Sequence, residues 1–100
     1  MDMNKMMKQA RKMQAELAKA QEEAALLTAE ASVGGGVVKV VANGNQTIQS
    51  IAIDPSVVDP EDVEMLQDLV LTAVNDALGQ VTELVNTRLN AVTGGLNIPF

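Results

Sequence analysis

Apolar side chains in the first quarter of the chain recur in alternating steps of three and four, at Met3, Met6, Ala10, Met13, Leu17, Ala20, Ala24 and Leu27. That spacing draws one narrow stripe along a helix, the seam of a coiled-coil-like contact. From Asp2 to about Leu27 there is no Gly or Pro, and the run is rich in Met, Lys, Gln, Ala, Glu and Leu, all good helix formers. Thr28 to Val33 alternates, with Ala29, Ala31 and Val33 on one side and Thr28, Glu30 and Ser32 on the other, a strand pattern that Ala and Glu would also allow to continue as helix. Gly34-Gly35-Gly36 interrupts either element, and Val37-Val38-Lys39-Val40-Val41 follows as a β-branched strand. Asn43-Gly44-Asn45 is a hairpin signal, because a tight turn needs positive φ and Asn and Gly tolerate it. Thr47 to Ile53 then returns antiparallel, and Asp54-Pro55 ends it. Valines at successive positions of the second strand predict a sheet covered on both faces, one by helices and the other by a second chain.

Asp59-Pro60-Glu61-Asp62 has the parts of a helix start: an N-cap acceptor, Pro where no amide partner is lost, and acids at the positive end of the helix dipole. A broad apolar face from Leu66 through Leu69, Val70, Ala73, Val74, Ala77, Leu78, Val81, Leu84, Val85 and Leu89 to Val92 predicts one long helix over 59–93, stopped by Gly94-Gly95. A short apolar tail closes residues 94–100. Helices of these lengths would be about 39 and 50 Å long at 1.5 Å per residue. A compact chain of this size has a radius of gyration near 13 Å, roughly, so its remaining residues cannot wrap such elements and self-association is expected.

At 100 residues the chain is the size of one domain. It has no Cys and no His, which removes thiol catalysis, disulfides, zinc fingers and imidazole acid–base chemistry. Phe100 is its only aromatic residue, so it lacks the stacking platforms of single-strand and RNA readers, and any nucleic-acid contact must be ionic. No apolar stretch approaches the ~18 residues of a membrane span, and no signal-peptide h-region follows the basic start, so a cytoplasmic protein is expected.

The net charge of −6 is unevenly spread. Residues 1–19 hold Lys5, Lys8, Arg11, Lys12 and Lys19 against Asp2 and Glu16, whereas the remainder holds only Lys39 and Arg88 against eleven carboxylates. At 100° per residue the five cations fall within an arc of about 120° on the side away from the apolar seam. A basic arm on an acidic body marks a partner-binding extension, and an anion is the partner such an arm suits. The Met residues of the seam read first as adaptable packing and second as a pliable surface for another protein. Asp59, Glu61, Asp62 and Glu64 have the oxygen ligands of a Mg²⁺ or Ca²⁺ site, but a charged first helical turn accounts for them, so no metal or cofactor is expected. Gly34-Gly35-Gly36 has no following Lys-Ser/Thr and leads into a strand, so it reads as a turn rather than a phosphate loop. No cluster supplies both a nucleophile and a base, so an enzyme is not expected.

Met-Lys-Gln-Ala near the start, Gly34-Gly35-Gly36-Val37-Val38-Lys39-Val40, Asn43-Gly44, Ile53-Asp54-Pro55-Ser56, Glu64-Met65-Leu66-Gln67-Asp68-Leu69-Val70, Ala73-Val74-Asn75-Asp76-Ala77 and Thr93-Gly94-Gly95-Leu96 stand in a distinctive order. The sequence thereby resembles, over nearly its whole length, the YbaB/EbfC family of bacterial nucleoid-associated proteins. That resemblance implies an α+β fold, an α-β-β-β-α protomer with long N- and C-terminal helices and a small three-stranded antiparallel sheet, with residues 28–33 as the first strand. It implies further a tweezer-like homodimer that binds double-stranded DNA and takes part in nucleoid organisation or gene regulation. The expected layout is a basic arm over 1–27, a sheet over 28–54, a long helix over 59–93 and a tail over 94–100. Family members often carry basic residues in the third strand, where Gln46, Thr47, Gln49 and Ser50 are neutral here, and Arg88 is the only cation near the end of the second helix. Both departures place more of the burden on Lys5, Lys8, Arg11 and Lys12, with Lys19 at the margin. The alternative is an interaction module that docks a protein of the replication or recombination machinery through the Met-rich helix and acidic body.

Overall fold

Asp2 turns the chain into its first helix by accepting a hydrogen bond from the Asn4 amide at 3.1 Å, which satisfies one of the amides a helix start leaves without partners. In a computed structural model, which describes residues 2–93, this helix is α1 (Met3–Ala25). It is followed by strands β1 (Thr28–Val33), β2 (Val38–Asn43) and β3 (Ile48–Ile53), a 3-10 turn at Pro55–Val57, and a second helix, α2 (Val63–Thr93). The alternation at 28–33 is therefore a strand. The sheet is antiparallel in the order β1-β2-β3, with Ala31 opposite Val40 and Val40 opposite Ile51. The calls on residues 94–100 lie outside the described residues.

Gly34, Gly35 and Gly36 all have positive φ and form the β1–β2 turn, as expected of them. The second turn works differently from expectation. Gly44 is not in the left-handed region; Gln46 is, at φ 62°. The Gln46 amide bonds the Asn43 carbonyl at 3.0 Å, and the Asn43 side chain accepts from the amides of Asn45 and Thr47, which makes a three-residue loop with its left-handed residue last. Gly44 serves close approach instead: its amide donates to the Leu27 carbonyl at 2.9 Å, and a Cβ there would collide with the carbonyl of Ala24 at the end of α1.

The start of α2 also differs. Asp59 accepts from the Glu61 amide at 2.9 Å and its carbonyl from the Asp62 amide at 2.9 Å, closing a separate turn; Asp62 then caps α2 through the Met65 amide at 3.2 Å. Pro60 has a fixed φ near −65°, roughly, that suits the second position of a turn as well as the first of a helix. Two Asp residues three apart thus offer the same chemistry, and the later one opens the helix. Ahead of this turn Asp54 holds the Ser56 amide at 2.9 Å, and that bond keeps the Asp54 carboxyl below its ordinary pKa.

The core is small. Ala29 and Ala31 of β1 and Val38, Val40 and Ala42 of β2 meet Ala73, Ala77 and Val81 of α2, all buried. Alanines on both sides let the helix lie close to the sheet. α2 crosses β1 and β2 and leaves β3 largely bare: Ile51 and Ile53 share the helix-side face with Val40 and Val38 yet are 47% and 38% exposed. The opposite face carries Glu30, Ser32, Lys39 and Ser50, all exposed in the single chain, with Val41 half-buried among them. Unpaired apolar surface lies on the helix side, beyond the reach of α2.

Both helices meet the sheet at the β2–β3 turn. Gln46 Nε2 donates to Thr82 Oγ1 of α2 at 2.7 Å, and beyond Thr82 an ion pair at 3.3 Å joins Arg88 of α2 to Glu23 of α1. The described residues measure 73 × 23 × 17 Å with a radius of gyration of 19.8 Å, far from a sphere. Since α2 alone spans about 46 Å at 1.5 Å per residue, α1 must project beyond its end.

Candidate nucleic-acid interface

α1 leaves the body because only its C-terminal half has anything to pack on. Ala24 and Ala20 are 2% and 4% exposed, Leu17 and Met13 are half-buried, and Met6 and Met3 are 51% and 72% exposed. The arm is thus anchored at its C-terminal end and open at its N-terminal end.

Lys5, Lys8, Arg11, Lys12 and Lys19 are all exposed, and none has an ion pair or hydrogen bond recorded among the described residues. Lys5, Lys8 and Lys12 follow steps of three and four, and Arg11 flanks them, so the four lie on one side of about two turns of helix. Their stretch of about 10 Å matches roughly three phosphate steps of one DNA strand at 3.4 Å of rise each. The positive end of the helix dipole lies at the same end of α1.

Lys19 is placed apart from them. It stands one turn from Glu16 and from Glu22 and Glu23, where the basic stripe meets the acidic body. Arg88 is committed to Glu23, a pairing across 65 positions that no local sequence signal announces.

The far end of the molecule is unsuited to phosphate. A cleft of about 550 Å³ beside Gly34 is lined by Asp62, Glu64 and Asp68, so the one Gly-rich turn faces carboxylates. Among the described residues no group of three or more acidic side chains is arranged to hold a metal ion, and no helix is long and apolar enough to cross a membrane.

The apolar flank of α2 escaped the sequence reading as a distinct surface. Leu66, Val70, Leu71 and Val74 line a groove of about 440 Å³ along α2, and Leu71 is 60% exposed. The other flank of α2 carries Asp68, Thr72, Asp76 and Glu83. The periodicity of 66–92 gave the width of the apolar face; only the sheet shows which part of it stays uncovered.

The chain is similar to curated proteins along nearly all its length. It is 62% identical over 98 residues to a nucleoid-associated protein of Desulforamulus reducens, covering 98% of this chain and 93% of that one. A nucleoid-associated protein of Moorella thermoacetica is 59% identical, with 98% and 94% covered. Among solved structures, an uncharacterized protein from Helicobacter pylori superposes with a TM-score of 0.73 at 28% identity, covering 97% of this chain and 99% of that one. Residues 1–96 match the YbaB/EbfC DNA-binding family as a whole, and with the α-β-β-β-α architecture and these relatives the chain belongs to that family.

Proposed function

We propose that the protein is a nucleoid-associated protein that binds double-stranded DNA with low sequence specificity through the basic face of α1. The observation that carries this reading is the segregation of Lys5, Lys8, Arg11 and Lys12 on an arm that projects away from an acidic body. Family membership supports DNA as the partner. Phosphates neutralised by these cations would release condensed counterions, so binding draws on the entropy of salt release rather than on base contacts. The acidic body repels the same duplex and confines contact to the arm.

A homodimer completes the reading. Ile51 and Ile53 together with the groove along Leu66, Val70, Leu71 and Val74 leave an apolar surface of the kind that a second copy covers. Two arms then double the set of cations. With about three phosphates neutralised per arm, log K should fall against log salt with a slope near −5, roughly. Fluorescence anisotropy of a labelled duplex over a salt series measures that slope; a flat profile would defeat the reading.

The exposure of Met3 and Met6 favours a second reading, docking of a replication or recombination protein on the Met-rich helix and acidic body. Its mark is a protein complex that survives high salt while DNA binding is absent at low salt.

A further inference from the structure

Three contacts close a triangle at the root of the arm. The Gly44 amide donates to the Leu27 carbonyl at 2.9 Å and holds the β2–β3 turn against the end of α1. Gln46 Nε2 donates to Thr82 Oγ1 at 2.7 Å and holds the same turn against α2. Arg88 and Glu23, at 3.3 Å, tie α2 back to α1. Beyond this root α1 has little to fix its direction, since Met3 to Lys12 are all exposed and packing begins only at Met13. Gln46 is the unusual member. Among the described residues it is the only one other than glycine with a positive φ, 62°, a region where a Cβ crowds the following carbonyl and where Gly or Asn sits with less strain. The loop's own hydrogen bonds, from the Gln46 amide to the Asn43 carbonyl and from the Asn45 and Thr47 amides to the Asn43 side chain, do not use the Gln46 side chain. What glutamine adds over glycine is an amide long enough to reach Thr82. Thr82 is oriented to receive it: its hydroxyl commits its one proton to the Leu78 carbonyl at 2.8 Å, which leaves the oxygen as an acceptor toward Gln46.

We infer that Gln46 and Thr82 are positioning residues for DNA binding. Their bond anchors the turn that carries the end of α1, and so keeps the cationic arm pointed along the long axis of the molecule, clear of the acidic body. An arm free to swing brings its cations toward the carboxylates of that body, which compete with phosphate for them. Only chains that hold the extended pose present the full basic face to a duplex, so apparent affinity falls with the fraction that holds it. This consequence for binding rests on the function proposed above; the hold of the contact on the arm does not.

The chain has no cysteine, so spin labels at Gln9→Cys on the arm and Ser32→Cys on the sheet report the direction of α1, with labelled chain diluted into unlabelled chain so that only distances within one chain are read. The parent should give one narrow distance distribution. Two variants break the contact from opposite sides: Gln46→Asn tolerates the positive φ but is one methylene short of Thr82, and Thr82→Val keeps the shape of the side chain and removes its oxygen. Both should remain folded by circular dichroism and both should broaden the distribution. Without labels, both should bind duplex DNA about threefold to tenfold more weakly than the parent, the worth of one hydrogen bond. The salt slope should be retained, because no cation is removed. An unbroadened distribution or the parent's affinity in both variants overturns the inference. Loss confined to Gln46→Asn marks Gln46 as a direct DNA contact and overturns it as well. A parent that binds no duplex, with both variants broadened, defeats the proposed function and leaves the anchor of the arm standing.

Discussion

A methyl group added at Gly44 would meet the carbonyl of Ala24, because the β2–β3 turn packs directly on the end of α1. Gly35 presents the opposite case: open space around the missing Cβ, but φ at +76°. The two positions separate two reasons for glycine. Gly35→Ala should cost the left-handed penalty alone, about 1 kcal/mol. Gly44→Ala must push backbone against backbone and should cost about 3 kcal/mol, the upper end of overpacking effects. Thermal denaturation of both variants checks the order, and a Gly44→Ala protein as stable as Gly35→Ala would refute the packing described. At this scale the turn was legible in Asn43-Gly44-Asn45, but its mechanism was not. Local sequence shows which residues tolerate positive φ; it does not show that a helix end will arrive from 20 residues away and require the glycine for another purpose. The choice between Asp59 and Asp62 as helix cap was hidden for a similar reason, since each is an Asp with an equally good claim.

Among the elements, α2 and β3 share the exposed apolar surface. Periodicity located both helices to within a few residues, and the strands with them, because 3.6- and 2-residue patterns are properties of the chain itself. Residues 28–33 were ambiguous in pattern, as Ala and Glu favour helix, and pairing with β2 decides them. What periodicity cannot report is coverage: the sheet has only three strands, α2 spans two of them, and β3 remains an edge with neither Lys nor Pro to protect it. If this edge and the Leu66–Val74 flank form the homodimer contact, light scattering of the parent should give twice the 10.6 kDa chain mass. Leu71→Asp combined with Ile51→Asp places charges on two exposed side chains, so the fold should persist by circular dichroism while the mass falls to that of one chain. A parent that is monomeric at micromolar concentration, or a double variant that stays dimeric, would contradict this assignment.

For the whole molecule the governing feature is the division of charge along its 73 Å length, cations toward the free end of α1 and carboxylates over the C-terminal end of α1, the β3–α2 connection and α2. This was the most legible part of the candidate site, since it follows from counting charges by segment and projecting them on a helix. The marginal place of Lys19 was legible too, with Glu16, Glu22 and Glu23 one turn from it in sequence, whereas the pairing of Arg88 with Glu23 was not. The arm has a single Arg and no second helix to seat it in a major groove, so discrimination among duplexes should be shallow. Competition assays that found one site bound about 10³-fold better than unrelated duplex would refute that expectation. The central claim, that these particular side chains hold DNA by charge, is tested most directly by replacing Lys5, Lys8, Arg11 and Lys12 together with Ala. Ala is the best helix former and the four lie opposite the seam, so helix content and mass should be unchanged. Anisotropy on a ~20 bp duplex should then show the parent's slope of log K against log salt, near −5, reduced to a small fraction in the variant. A folded variant with the parent's affinity and slope would contradict the account.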